Sequence, residues 1–213
     1  MRAIVGMVPG GRRSDTEAME DLVARAQAMD FDRSCAPEFG RLLRTLAAAA
    51  GRGVLAEIGT GVGVGAAWIA AGMRPGARLV TVEADPERAA AAAALFAGHP
   101  AVTVIQGDWR LILRHGPFAL VFPDVHSAKV APEVVEALAP GGIAAIDDLT
   151  PEEHWPPEWR GRPDPVRDFW LGHPRLYACE VRLTARTAAI IATAAGNPRP
   201  VGPPDRPRTG ESP

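Results

Sequence analysis

Leu55-Ala56-Glu57-Ile58-Gly59-Thr60-Gly61-Val62-Gly63-Val64-Gly65 is a short apolar run that breaks into alternating glycines. Val54 to Ile58 predicts a strand, and Ala66 to Ala71 predicts a helix directly after it. Glycines at such a junction let the backbone turn tightly and let a ligand approach the main chain. The start of the helix adds free N–H groups. Alone, the run leaves three readings open. Gly61-Val62-Gly63-Val64-Gly65-Ala66 fits the G-x-G-x-x-A form of a dinucleotide site. It also suits another adenosine-bearing cofactor, or a tight turn with no ligand.

Working outward, strands and helices alternate. Arg78 to Val82 predicts a second strand. Asp85-Pro86-Glu87 opens a helix that Gly98 ends, with Asp85 as cap and Pro86 at the first helical position. Val102 to Ile105, Phe118 to Phe122 and Ile143 to Ile146 predict three more strands, and Ser127 is expected to cap a helix running to Ala139. This alternation defines an α/β fold, a doubly wound, mostly parallel, Rossmann-like sheet. Two N-terminal helices precede it. One is signed by the capping box Ser14-Asp15-Thr16-Glu17, the other starts near Pro37 and stops at Gly51. After Asp148 the pattern breaks into a loop rich in proline and tryptophan, Thr150 to Pro165, whose length and irregularity mark it as functional or mobile. A short helix, Val166 to Leu171, and a hairpin of Tyr177 to Leu183 with Thr187 to Thr193 follow. The expected organisation is one domain over 1–195, with N-terminal helices in 1–52, a cofactor-binding core in 53–195 and a disordered tail in 196–213.

Composition bounds the function. The 213 residues are 47% hydrophobic and 23% charged with a formal net charge of -2, which is globular and gives no steering toward nucleic acid or anionic membranes. No apolar run approaches membrane-spanning length. Cys35 and Cys179 are too few and too far apart for a disulfide framework or a zinc site, and predict free thiols in a cytoplasmic protein.

Acidic residues around the glycine run discriminate between cofactors. Glu83 ends the second strand, where an acid accepts hydrogen bonds from ribose hydroxyls. That holds for both NAD and S-adenosylmethionine. Glu57, two residues before the first glycine, suits a cationic ligand group and would repel a pyrophosphate. Gly107-Asp108-Trp109 follows the third strand and can bracket an adenine; the alternative is that Asp108 caps the next helix and Trp109 is core.

Together these residues resemble the class I S-adenosylmethionine-dependent methyltransferases, and more narrowly the catechol and caffeoyl-CoA type O-methyltransferases. The likeness rests on Leu55 to Thr60, Val82-Glu83-Ala84-Asp85-Pro86, Gly107-Asp108, Leu120 to Asp124 and Leu138-Ala139-Pro140-Gly141-Gly142. Ala36 to Gly40, Val166 to Trp170, His173 to Arg175 and the hairpin extend it. The resemblance implies a seven-stranded sheet whose last strand is antiparallel, and methyl transfer to a hydroxyl of a small acceptor; if the loop after Asp148 is a lid, its tryptophans suggest a flat or aromatic one. It implies that Glu57, Gly59, Thr60 and Gly63 line the methionine end of the cofactor, that Glu83 holds the ribose and that Asp108 and Trp109 hold the adenine. Gly61, Gly65, Ala84 and Asp124 complete the candidate cofactor contacts.

The same resemblance implies a divalent metal, Mg²⁺ by preference, held by Asp124, Asp147 and Asp148, with Asp148 standing where the family has asparagine. Three carboxylates make a hard oxygen site. The alternative is that the Asp147-Asp148 pair caps a loop and no metal binds. For the acceptor's proton, the candidates beside Asp124 are His126 and Lys129; the family lysine stands two positions earlier than Lys129. His154, Trp155 and Trp159 are a candidate lid. Rival readings are a metal-independent methyltransferase and an NAD(P)-dependent oxidoreductase. The second lacks a Tyr-x-x-x-Lys pair, since Tyr177 is the one tyrosine. A homodimer is expected by analogy.

Overall fold

The computed structural model describes residues 35–196 together with residues 21, 23–26 and 28. The Ser14 capping box and residues 197–213 lie outside the described residues. Helix α1 (Pro37–Ala49) begins with proline at its first turn, as the sequence predicts. Strand β1 (Val54–Ile58) follows, with Leu55, Ala56 and Ile58 buried. A central strand covered on both faces reads as an uninterrupted apolar run, which is why this stretch does not alternate. Helix α2 (Val64–Gly72), β2 (Arg78–Glu83), α3 (Pro86–Leu95), β3 (Val102–Gln106) and β4 (Phe118–Pro123) come next. Asp85 caps α3 by accepting from the N–H groups of Glu87 and Arg88.

Two expectations are corrected between β4 and the next strand. Ser127 does not start a helix. Residues 126–130 form turns, and helix α4 covers only Pro132–Glu136. The reason is Pro132, whose ring would clash with the Ala128 carbonyl in a helix running through it, so the helix starts at the proline instead. The fifth strand, β5, spans Leu138–Leu149 rather than Ile143 to Ile146. Helix α5 (Pro165–Leu171) and the hairpin β6 (Leu176–Arg182) with β7 (Ala188–Ala194) are the last elements among the described residues.

The seven strands are ordered β3-β2-β1-β4-β5-β7-β6. β1, β2, β3, β4 and β5 are parallel, whereas β7 runs antiparallel to both β5 and β6. Each face carries one core. Phe39, Leu43, Ile69 and Phe122 share a cluster with helical residues Val23 and Ala26, and α2 belongs to it. Ile58, Val82, Ile112, Trp170 and the α4 valines Val134 and Val135 fill the other. Helices α1 and α2 meet at Gly40, where an added Cβ would lie 2.2 Å from Trp68 Nε1. A Gly40→Ala substitution is expected to force the helices apart and cost about 1–3 kcal/mol, read as a lower urea midpoint with unchanged slope.

Candidate active site

β1 and β4 are neighbours, yet the helices that follow them, α2 and α4, lie on opposite faces of the sheet. Such a switch point opens a crevice at the carboxyl ends of the strands. Here it is a cleft of about 1480 Å³. Main-chain hydrogen bonds align its floor. Gly59 and Thr60 donate to Val82 O, Asp124 donates to Ile58 O, and Gly107 donates to Glu83 O. The lining includes Glu57, Gly59, Thr60, Gly61, Gly65, Glu83, Ala84, Asp108, Trp109, Asp124, His126, Lys129, Asp147 and Asp148. Of the residues singled out in the sequence, Gly63 is absent from the lining. With φ +102 it makes the turn before α2, and an added Cβ would meet Leu95 and Phe96 on the far side.

Glu57 is 1% exposed, and no lysine or arginine among the described residues pairs with it. Its Oε2 accepts from Thr81 Oγ1 at 2.7 Å. With its single proton given to Glu57, Thr81 can only accept from Thr60, 2.6 Å away. Burial raises the Glu57 pKa well above the ordinary carboxyl value; the Thr81 bond opposes this, and the charges of Asp124 and Glu83 add to it. Gly65 leaves this carboxylate room, because a Cβ there would lie 2.2 Å from Glu57 Oε1. Glu83 organises the rim. It accepts from Gly61 N at 2.8 Å and Asp85 N at 3.0 Å, and it pairs with Arg88 at 2.9 Å.

At the adenine-side candidates the cap-and-core alternative is observed, and both residues also border the cleft. Asp108 caps the 3-10 helix Trp109–His115 by accepting from Arg110 N, and Trp109 is buried in the core, but both line the cleft. The Arg110 guanidinium lies 4.4 Å over the Trp109 ring.

At the other end of the cleft, carboxylate oxygens of Asp124, Asp147 and Asp148 lie within 4.8 Å of one another. Neighbouring strand residues ordinarily point to opposite faces. Asp148 escapes this with φ 61, where β5 slips register against β7 between Ile146 and Leu149. This bulge lets both aspartates reach one partner, Lys129. Lys129 Nζ lies 2.7 Å from Asp147 Oδ1, 2.8 Å from Asp148 Oδ2 and 3.5 Å from Asp124 Oδ1. The three carboxylates are a set that could hold a metal ion, and in this arrangement the seat among them is filled by an ammonium.

Burial alone would press Lys129 toward its neutral form, but the charges and hydrogen bonds of Asp147 and Asp148 outweigh it and hold the pKa above its usual value. Lys129 therefore stays charged and is a poor proton acceptor. Asp124 is pushed up to about 7 by burial and by Asp147, against the pull of Lys129. His126 is exposed at the cleft wall.

Of the candidate lid residues only Trp159 reaches the cleft, 53% exposed. His154 Nε2 lies 2.7 Å from Ala185 O, and Trp155 Nε1 donates to Thr150 O. These two are anchors of the loop. Arg167 binds the same loop from α5, donating to Thr150 O, to Asp164 and, through both fork nitrogens, to Glu180. Arg182 of β6 pairs with Glu153. Sequence reading also passed over Glu38, Phe39 and Asp164 as lining residues.

Residues 56–149 match a family described as a methyltransferase domain. A Mycobacterium tuberculosis protein named "Probable O-methyltransferase" is 31% identical over 141 residues, 60% of this chain and 63% of that one. The chain thus spans less than two thirds of that relative. The crystal structure of the O-methyltransferase from Bacillus cereus in complex with SAH (S-adenosylhomocysteine) aligns with TM-score 0.66 at 23% identity, covering 88% of this chain and 93% of that one. The Streptomyces achromogenes O-methyltransferase TomG, involved in tomaymycin synthesis and solved with SAM (S-adenosylmethionine), aligns with TM-score 0.66 at 23% identity, covering 87% and 92%. By sequence, residues 56–149 match the methyltransferase domain family, and the described chain has the fold of those solved structures. No helix among the described residues is long and apolar enough to cross a membrane.

The raised Asp124 pKa fixes a sign for stability. The folded state holds this proton more tightly than the unfolded chain, whose aspartate titrates at 3.8, so the group costs stability as pH rises from about 4 toward 7. Asp124→Asn, which mimics the protonated side chain, is expected to gain melting temperature over the parent across that window and hold the gain above it. Thermal scans from acid to mildly alkaline pH measure this.

Proposed function

We propose that the chain is an S-adenosylmethionine-dependent methyltransferase acting on a hydroxyl of a small acceptor. The observation that carries the reading is Glu57, a buried carboxylate under a glycine turn with no cationic partner among the described residues. A ligand with a positive charge stabilises it, and a pyrophosphate does not. That favours the ammonium and sulfonium of S-adenosylmethionine over NAD. Gly59, Thr60 and Gly61 offer close main-chain approach beside it, Glu83 and Ala84 take the ribose side, and Asp108 with Trp109 the adenine side.

In this reading the acceptor oxygen attacks the sulfonium methyl carbon in line. The new C–O bond forms as the C–S bond breaks, and sulfur keeps the electron pair as a neutral thioether. The hydroxyl proton leaves to a group on the cleft wall. Asp124 and His126 are the candidates, because Lys129 is held as an ammonium. Most of the rate enhancement comes from positioning the two reactants and excluding water. Trp159 and Phe39 supply apolar surface for a flat acceptor.

Calorimetric titration with S-adenosylhomocysteine, with NAD as control, tests the reading. Micromolar binding of the first and none of the second is expected. Glu83→Ala is expected to weaken it about 10–100-fold, since a charged hydrogen-bond acceptor and its hold on Gly61 are lost together. Failure of S-adenosylhomocysteine to bind the parent protein overturns the proposal.

A further inference from the structure

We propose that the ammonium of Lys129 is the resident cation of this site, standing where the family resemblance places a divalent metal, so that the chain neither needs nor tightly binds one. The inference deepens the proposed function and concerns its acceptor end. Its first support is geometry. One nitrogen with three N–H groups lies within 3.5 Å of three carboxylates drawn from two strand ends. Its second is anchorage. The Lys129 carbonyl accepts from Trp170 Nε1 at 2.6 Å, Trp170 is fully buried, and Lys129 N donates to Val125 O. The backbone is thus fixed and the side chain is 9% exposed. An entering metal would have to displace a buried ammonium from all three of these carboxylates.

The third support is composition. Among 23 basic side chains Lys129 is the one lysine; the rest are arginine. A chain that uses arginine everywhere else keeps lysine where a compact point charge is required and a planar fork would not fit. The bulge at Asp148 is explained by the same demand, because it turns a second β5 carboxylate to the ammonium.

Because the lysine is unique, protein grown with ¹⁵N-lysine carries a single side-chain ¹⁵N signal. Mn²⁺ is titrated into the full chain in the presence of S-adenosylhomocysteine while this signal is followed, and Mn²⁺ affinity is compared by electron paramagnetic resonance in the parent and in Lys129→Ala. The expected results are a parent signal left unbroadened by stoichiometric Mn²⁺, and a gain in Mn²⁺ affinity on the order of 100-fold in Lys129→Ala, abolished again by adding Asp147→Asn. Stoichiometric broadening in the parent overturns the proposal without any variant. So does Lys129→Ala that still binds S-adenosylhomocysteine but gains no Mn²⁺. Should the Ala variant not fold, the parent titration alone decides. Loss of S-adenosylhomocysteine binding by the parent would sink the methyl-donor reading and leave the Mn²⁺ result to stand by itself.

Discussion

Two adjacent parallel strands cannot send their chains to opposite faces of a sheet without leaving a gap between the departing segments. The site rests on that constraint at β1 and β4. The gap lets Glu57 and Asp124 stand at the base of one cleft, and the hydrogen bond from Asp124 N to Ile58 O keeps the two strand ends level. The protein meets the needs of the carboxylates at the strand ends with a hydroxyl at Glu57, with main-chain amides at Glu83 and with an ammonium at Asp147.

Much of this was legible in the sequence wherever the cause is local. The strand before the glycines, the Asp85 cap, the proline-started helices and the three-residue hairpin turn are each set by neighbours within a few positions. Where the cause is distant, reading along the chain failed. The direction of Lys129 depends on Trp170, which is 41 residues away, and on a register slip in β5. A regular strand would have sent Asp147 and Asp148 apart. The helix expected from Ser127 failed on a local signal that was available, Pro132. The uniqueness of Lys129 was also readable from composition, but it gains meaning only once three carboxylates are found around it. Gly63 shows the opposite limit, because its place in the motif is clear while the side it faces is set by packing against α3.

The two ends of the cleft differ in stiffness. The donor end is framed by strands and their main-chain bonds. The acceptor end is framed by a loop held at chosen points, with Arg167 tying Thr150, Asp164 and Glu180, and Arg182 tying Glu153. Between these ties Trp159 projects into the cleft with no anchor of its own in the sheet. Loop residues between the ties can thus vary in shape while the donor end keeps its geometry.

β7, the last strand of the sheet, lies between β5 and β6 rather than at an edge. During synthesis β5 can pair with β4, but its second edge and the facing edge of β6 find no partner until residues 188–194 have left the ribosome. β5 carries Asp147 and Asp148, so the outer edge of the strand that bears the acceptor end is covered only once β7 has been made. Until then two strand edges stand open to other chains. A cut before Ala188 would leave those edges open to pairing with other chains.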